Sequence, residues 1–446
     1  MKIENITAYP LSFAIPKEFQ VTLGIGSTIK RDSVLVKVET TDGIVGWGEA
    51  HAGRAPGAVA QLANTTLRAL DTGMEATDVV GVWDRIYKMQ LASHGMGAAT
   101  AIAMSGIDMA LWDIRGKAIG WPIYKLLGGR SKRITAYAGG ISLGYQPPQD
   151  LADEAHSIAG VGYKAMKLRI GDNPANDIAR VEAVRKRVGD EIDILTDANA
   201  AYSLNDARRV MPALDAANVG WLEEPFPPHD HRRYQEARSF GRTPLAAGEN
   251  HYTRFELHRA LEDGVITVFQ PDVSKTGGIT EGQRIAAMIS AWKLSFNPHT
   301  SVTGLNVAAC LHLLASVDNA GYFEADLSRY NPFRDDLCSW QAVVGSDGMI
   351  APPDGPGLGV EIDEEQLAKF PVIDGPGYVY LCWQRLGCGM RRYAGWFAMA
   401  KRRRGCYALA DNRSRRSIAD EVYDQCRLHT GRSTCVFWAP RRVRRQ

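Results

Sequence analysis

The sequence predicts a closed (β/α)8 barrel preceded by a smaller α+β unit, and three observations support this fold class. First, polar residues follow short apolar segments at nearly equal intervals, from Asp197 through Glu223, Glu249, Asp272 and His299 to Glu324. An interval of about 25 residues accommodates one strand, one helix and two short loops. Second, β-rich and helical patterns alternate from residue 134 onward. Third, residues 1–130 read as strands followed by helices, which is typical of an α+β unit.

Eight β-rich segments account for the barrel. Helical patterns separate them, for example at residues 175–188 and 280–292. An open doubly wound sheet is the alternative. The count of eight segments, with polar residues at nearly every strand end, favours a closed barrel over the open sheet. The predicted strands lie near residues 134–140, 164–170, 193–198, 221–224, 245–249, 267–271, 294–298 and 321–325.

The N-terminal region contains a clear hairpin signal. The β-rich runs 34–38 and 44–48 flank Asp42-Gly43, a pair that favours a tight turn. Residues 58–127 then follow a helical pattern. Between the first strand and the hairpin, residues 19–31 are rich in Gly, Ser and Thr and predict a loop. This loop is either a mobile lid or a disordered surface connection.

Composition is that of a globular protein over most of the 446 residues, with 45% hydrophobic and 23% charged residues. The start lacks the apolar core of a signal peptide and no run reaches the length of a membrane span, so we expect a cytoplasmic protein without a membrane partner. Cys310 and Cys338 are the two cysteines of residues 1–380 and are expected to be reduced thiols.

Residues 381–446 differ from the rest, with 15 Arg and one Lys against four acidic residues. Such a balance is compatible with nucleic-acid binding. No recognisable binding motif accompanies the charge, so we favour an extension outside the fold and expect no nucleic-acid partner.

Three carboxylates at predicted strand ends indicate a metal site. Asp197, Glu223 and Glu249 would converge at the C-terminal end of a barrel, where their charges repel. A divalent cation offsets that repulsion, and hard oxygen ligands favour Mg²⁺.

The motifs in this order and spacing resemble those of the enolase superfamily, and within it the mandelate racemase subgroup, over residues 1–380. The matching positions are Lys167 and Arg169, Asp197, Glu223, Glu249, Asp272, His299 and Glu324. The resemblance implies an α+β capping domain (1–130), a modified (β/α)7β barrel (131–354) and a return to the cap (355–380). The extension 381–446 has no counterpart. The resemblance also implies a homo-oligomer, either an octamer or a dimer.

Site roles follow from the same resemblance. Asp197, Glu223 and Glu249 would be Mg²⁺ ligands, Asp272 and His299 the catalytic dyad, and Glu324 an acid that hydrogen-bonds the substrate carboxylate. Lys167 and Arg169 occupy the second-strand Lys-x-Lys motif, with Arg replacing the second lysine.

The chemistry implied is removal of the proton α to a carboxylate through an enediolate. His299 suits the role of base, oriented by Asp272, while Lys167 would contact the carboxylate or act as a second acid/base. Arg stays protonated, so Arg169 favours one-base syn β-elimination of water from an acid sugar, giving a 2-keto-3-deoxy acid. A racemase, epimerase or cycloisomerase of the same subgroup is the alternative, and nucleic-acid binding through the tail is the alternative from another class.

Weaker candidates for binding this small-molecule carboxylate lie near the strand ends and in a cap loop. A surface role is equally compatible with the two cap-loop residues, His51 and Arg54, whereas Asn199 and Lys275 would contact the ligands or support them. With Arg169, they are Asn199, Lys275, His51 and Arg54.

Overall fold

The structure is a computed structural model that describes residues 1–300 and 302–380. Its first five strands lie in the N-terminal region, and the hairpin predicted around Asp42-Gly43 is confirmed, because Glu39 pairs with Val45 across that turn. A three-stranded antiparallel sheet has the order β1-β4-β5. The strands are β1 (Ile3–Ala14), β2 (Thr22–Leu23), β3 (Gly26–Thr28), β4 (Lys30–Thr40) and β5 (Val45–His51).

Five helices complete the cap. The longest of them, at Gly97–Ile119, packs directly on β5, and two glycines of that strand make the close approach possible. A Cβ atom on Gly46 or Gly48 would stand 2.1 Å from the backbone oxygen of Ala110 or Gly106. The helices are α1 (Pro56–Leu62), α2 (Arg68–Asp71), α3 (Val79–Ile86), α4 (Gly97–Ile119) and α5 (Ile123–Leu126), with π-helical turns at Ala63–Leu67 and Tyr87–Leu91.

Seven parallel strands form the barrel wall in the order β11-β10-β9-β8-β7-β6-β12. The predicted strand at 294–298 is reduced to single parallel bridges, in which Phe296 pairs with Phe269 on one side and Ala320 on the other. These bridges close the barrel. The strands are β6 (Ile134–Gly139), β7 (Ala165–Arg169), β8 (Asp193–Asp197), β9 (Val219–Glu223), β10 (Leu245–Ala247), β11 (Val268–Phe269) and β12 (Phe323–Asp326).

Seven helices alternate with these strands, and their starts follow local capping chemistry. Asn173 and Ser203 cap α7 and α8 through their side chains, and Pro174 fits the first turn of α7. The fold is therefore the modified (β/α)7β barrel with an α+β cap that the resemblance implied. The helices are α6 (Pro148–Gly160), α7 (Pro174–Val188), α8 (Leu204–Ala216), α9 (His231–Ala237), α10 (Thr253–Glu262), α11 (Gly278–Ser290) and α12 (Gly304–Ser316).

The segment after β12 contains α13 (Pro332–Asp335), β13 (Met349–Ile350), α14 (Glu364–Leu367) and β14 (Tyr378–Val379). Strand β13 still pairs with β6 of the barrel, and the chain then returns to the cap. Strand β14 pairs with β3, which in turn pairs with β2. We call β2, β3 and β14 the lid sheet. The prediction of a loop at 19–31 is therefore wrong in part, because the segment contains β2 and β3, and β3 pairs with a strand that follows the whole barrel in the sequence.

Within the described ranges, the helices are all too short or too polar to cross a membrane. The prediction for residues 381–446 lies outside the described residues.

Candidate active site

The three carboxylates predicted as metal ligands lie at one end of the barrel. Asp197 and Glu223 are the last residues of β8 and β9, and each is 1% exposed. Glu249 follows β10 after Gly248, where a Cβ atom would stand 2.4 Å from the backbone of Gln270. Parallel strands present their carboxyl ends on the same side, which explains how residues on three separate strands come together.

Two cations of β7 neutralise part of this charge. The Nζ atom of Lys167 lies 2.9 Å from Glu223, 3.0 Å from Glu324 and 3.8 Å from Asp197. Arg169 forms an ion pair with Asp197 and donates to the backbone oxygen of Gly140. Burial on its own lowers the pKa of Lys167, but the carboxylates of Glu223 and Glu324 outweigh burial and raise it. Both side chains therefore stay protonated.

The Asp-His pair forms across neighbouring barrel segments, and the backbones of Asp272 and His299 are bridged. His299 Nδ1 lies 2.8 Å from Asp272 Oδ2. The other oxygen of Asp272 accepts from the backbone N–H and hydroxyl of Ser274 at 2.8 and 2.7 Å. Burial raises the pKa of Asp272, but the hydrogen bond from His299 and the charges around it lower that pKa further than burial raises it. An ionised Asp272 holds the proton on Nδ1, so Nε2 is the nitrogen available for another contact.

The Nε2 atom of His299 contacts Glu249 Oε2 at 2.8 Å. His299 thus joins the dyad to the carboxylate cluster. Burial lowers the pKa of His299, whereas Glu249 and Glu324 raise it, and the net result is a pKa well above the usual range.

The donor set fits a hard divalent cation, although the carboxylates are held by side chains of the protein. In the described part of the chain, no group of three or more His, Cys, Asp or Glu side chains is arranged to hold a metal. Instead, Lys167, Arg169 and His299 each contact carboxylates. Two buried oxygens, Glu223 Oε1 and Asn199 Oδ1, have no hydrogen-bond partner there.

The balance of charge also favours a divalent cation at this end of the barrel. Six carboxylates converge at this end of the barrel against four cationic side chains, Lys167, Arg169, Lys275 and His299. Burial and then Asp197 raise the pKa of Glu223 to about 7. This excess of buried negative charge is what a divalent cation relieves. The carboxylates are Asp197, Glu223, Glu224, Glu249, Asp272 and Glu324.

The predicted substrate-contacting residues divide into two groups. Asn199 donates to Asp197 at 3.1 Å, Lys275 lies next to Asn250, and the backbone of His51 reaches the loop after Asp272. Arg54 instead stacks on the ring of Tyr378, 5.1 Å from its centroid, in the lid sheet.

Besides Glu224, three further residues of the site went unpredicted. Gln270 donates to Glu223 at 2.8 Å, and Tyr137 places its ring 5.4 Å from Lys167 Nζ. Glu49 of β5 accepts from the backbone of Val302 and Thr303, just beyond His299. Gln270 was within reach of the sequence argument, because it lies two positions before Asp272 at a strand end.

The fold and this site define a barrel enzyme, and comparison with known proteins identifies its family. The N-terminal domain model of mandelate racemase / muconate lactonizing enzyme matches residues 6–128. The enolase C-terminal domain-like model matches residues 150–366. The chain therefore belongs to the mandelate racemase / muconate lactonizing enzyme family of the enolase superfamily.

Its relatives in this family include both isomerases and lyases. D-galactarolactone cycloisomerase of Agrobacterium fabrum is 32% identical over 358 residues, which cover 77% of this chain and 93% of that protein. D-galactonate dehydratase of Variovorax paradoxus is 33% identical over 354 residues, covering 75% of this chain and 90% of that protein.

Solved structures agree with the fold. An enolase superfamily member from a Polaromonas species superimposes with a TM-score of 0.83 at 57% identity, covering 85% of this chain and 100% of that one. A racemase from Streptomyces coelicolor with bound magnesium gives a TM-score of 0.75 at 30% identity, covering 83% and 100% of the two chains.

Proposed function

We propose that this enzyme removes the proton α to the carboxylate of an acid sugar and eliminates water from the β-carbon, with Mg²⁺ as cofactor. The product would be a 2-keto-3-deoxy acid. The observation that carries the proposal is the pair formed by Asp272 and His299 at 2.8 Å, placed beside the carboxylate cluster.

Asp197, Glu223 and Glu249 would hold Mg²⁺, which when bound supplies Lewis-acid stabilisation of negative charge on the substrate carboxylate. The magnesium-bound racemase relative supports this choice of metal. Lys167 adds a fixed positive charge beside these metal-binding carboxylates, because its ammonium lies among Glu223, Glu324 and Asp197.

His299 would act as the base. Asp272 keeps the proton on Nδ1, so Nε2 accepts the α-proton. The bond between the β-carbon and its hydroxyl then breaks, and the departing hydroxyl takes that proton from Nε2 and leaves as water. Nε2 must lose its proton and leave Glu249 before it can act, since the two groups lie 2.8 Å apart and, against the effect of burial, Glu249 raises the pKa of His299.

The side chains opposite His299 favour elimination over epimerisation. Arg169 cannot act as a base, because guanidinium stays protonated in proteins. Lys167 is held by three carboxylates, which favour its charged form. One-base elimination needs only His299, and the dehydratase relative from Variovorax carries out that class of reaction by its name.

Cycloisomerisation is the second candidate, favoured by the Agrobacterium relative. A cycloisomerase conserves the atoms of its substrate, so the two candidates differ in whether water is lost. For either reaction the substrate is a small-molecule carboxylate.

The test is proton NMR in D₂O of the magnesium-loaded enzyme with a library of mono- and diacid sugars and their lactones. We expect a 2-keto-3-deoxy product that disappears in His299→Asn but persists in His258→Asn, a histidine whose side chain is 55% exposed. Deuterium at C2 without loss of water would favour epimerisation, and a lactone or ring-opened isomer would favour cycloisomerisation. Either result would overturn dehydration.

Truncation tests the basic extension. We expect residues 1–380 to retain activity, since 85% of this chain covers the whole of the Polaromonas structure, and the full chain not to bind nucleic acid. Loss of activity on truncation, or nucleic-acid binding by the full chain, would contradict this expectation. The homo-oligomeric state stays a prediction.

A further inference from the structure

Lys275 is a buried ammonium for which the described residues supply no ion pair. Three lysines of the described residues are buried, namely Lys30, Lys167 and Lys275. The first two form ion pairs at 2.9 Å with Asp32 and Glu223. Across the described ranges, no carboxylate oxygen lies within 4.0 Å of Lys275 Nζ, and its one hydrogen bond goes to Asn250 Oδ1 at 3.4 Å.

The ammonium is nevertheless charged. Burial lowers the pKa of Lys275, but the more distant carboxylates of Glu249 and Asp272 raise it above the usual value. An ammonium has three donors, and leaving a buried charge without a direct partner is costly. Lys275 therefore has donors to offer a bound anion.

Two further donors belong to the same corner of the site. The backbone N–H of His51 donates to Ser274 at 3.0 Å, which fixes this cap residue beside Lys275. His51 Nδ1 accepts from the N–H of Gly53 at 3.0 Å, so the neutral ring carries its proton on Nε2. Burial, and then the charge of Lys275, lower the pKa of His51 to about 3, which keeps the ring neutral.

Tyr252 is the third candidate donor, because it follows β10 on the same loop as Asn250 and is close enough to Lys275 for the ammonium charge to act on its hydroxyl. It lies two residues after Asn250, the partner of Lys275. Burial raises the pKa of Tyr252, and the nearby charge of Lys275 opposes that rise. Its phenol therefore stays protonated and can donate. The three donors come from the cap and from the loops after β10 and β11, and a group bound among them would touch both domains.

We propose that Lys275, His51 and Tyr252 form a subsite for a second carboxylate of the substrate, so that the preferred substrate is a sugar diacid. A hydroxyl cannot compensate a buried positive charge, whereas a carboxylate accepts from all three donors and neutralises one of them. The reacting carboxylate belongs with Lys167, whose contacts are Glu223, Glu324 and Asp197 and are not shared with Lys275. This inference rests on the proposed function, because it assumes an acid-sugar substrate.

The experiment compares a matched pair of acids, D-galactonate and its diacid galactarate. Binding to the magnesium-loaded protein is measured by calorimetry in the His299→Asn background, where turnover does not interfere. We expect galactarate to bind more tightly than galactonate. Adding Lys275→Met should weaken galactarate by about 30-fold and galactonate by less than about 3-fold, and Lys275→Arg should restore part of the loss.

Control variants separate the subsite from general damage. Lys293→Met removes an exposed lysine and should change neither affinity. Should Lys275→Met fail to fold, His51→Leu and Tyr252→Phe are each expected to weaken galactarate selectively, by about 5-fold. Equal losses for both acids, or no loss for galactarate in any variant, would overturn the subsite.

The two proposals fail differently. A wild-type enzyme that turns over acid sugars but does not prefer the diacid removes the subsite and leaves the proposed function. Conversely, absence of water loss with every acid sugar removes the proposed function, and selective loss of galactarate binding in Lys275→Met would still support the subsite.

Discussion

The Nδ1 atom of His299 lies 2.8 Å from Oδ2 of Asp272, and the other oxygen of Asp272 is held by the N–H and hydroxyl of Ser274. The imidazole is thus anchored through one nitrogen to a carboxylate that cannot rotate away. This arrangement fixes the orientation of the imidazole and the proton on Nδ1, and it motivates the first prediction.

Asp272→Asn should reduce kcat by about 10³-fold to 10⁴-fold, because an amide no longer holds the ring in the tautomer that leaves Nε2 as the acceptor. Steady-state kinetics, with deuterium incorporation at C2, measure the effect. Asp263→Asn is a matched control, since Asp263 also contacts a histidine Nδ1, that of His231, away from the dyad. A loss below about 10-fold would remove Asp272 from the mechanism.

Magnesium should stabilise the protein as well as activate it. A ligand that binds only the folded state at 100 times its Kd contributes about 2.7 kcal/mol. We expect Mg²⁺ to raise Tm, EDTA to abolish activity, and Glu223→Gln to remove the thermal shift. Glu236→Gln, whose side chain is 40% exposed, should keep the shift. An unchanged shift in Glu223→Gln would place the metal elsewhere.

Asp71 should make stability depend on pH. It is fully buried, neither oxygen has a hydrogen-bond partner among the described residues, and burial raises its pKa to about 7 against the opposing charge of Arg85. Because the folded state then binds the proton more tightly than the unfolded chain, this contribution falls as pH rises from about 4 to 7 and is lost above that range.

Asp71→Asn should therefore reduce the difference in unfolding free energy between pH 5 and pH 8 by roughly 2 to 3 kcal/mol. Urea denaturation at the two pH values measures it. Asp84→Asn, with a side chain that is 48% exposed, serves as control. The same pH difference in Asp71→Asn and wild type would show that Asp71 is not the titrating group.

Glu49 should couple the cap to the catalytic loop. Its carboxylate accepts from the hydroxyls of Ser33 and Thr303 and from the N–H groups of Val302 and Thr303, at 2.5 to 3.3 Å. Glu49→Gln would place an amide among four donors, and its NH₂ group cannot accept hydrogen bonds from them. We expect a loss of about 2 to 4 kcal/mol in stability and a kcat reduced by about 10-fold at similar KM.

A double-mutant cycle with Thr303→Val tests that prediction. If Glu49 and Thr303 act together, the second substitution should cost less in the Glu49→Gln background than in wild type. Additive effects would mean that the two side chains contribute independently.

The sequence predicted the barrel and the convergence of its carboxylates because both follow from the regular alternation of strand and helix, a local property of the chain. The sequence did not predict that the strand at 294–298 is reduced to single bridges at Phe296. β-Propensity does not reveal whether neighbouring backbones are close enough to form a continuous ladder. The lid sheet escaped prediction for a related reason, since Thr28 pairs with Tyr378 across the whole barrel sequence.

The contacts of individual side chains could not be predicted from the sequence either. That Lys167 lies among carboxylates while Lys275 contacts an amide oxygen depends on packing at the strand ends, and the two lysines are indistinguishable by residue type. The role of Glu49 likewise depends on β5 reaching the loop beyond His299.

The lid sheet has a consequence for how the enzyme is made. The turn between β2 and β3 lies against the site, because a Cβ atom on Gly24 would stand 2.4 Å from the backbone oxygen of Ala198, the residue after Asp197. On the ribosome, β3 emerges early, but its partner at Tyr378 follows only after the entire barrel. At about 5 to 20 residues per second, that interval lasts roughly 20 to 70 seconds. The cover over the active site is thus completed only when β14, the last strand among the described residues, pairs with β3, so a nascent or prematurely terminated chain would carry an assembled barrel without a complete lid sheet.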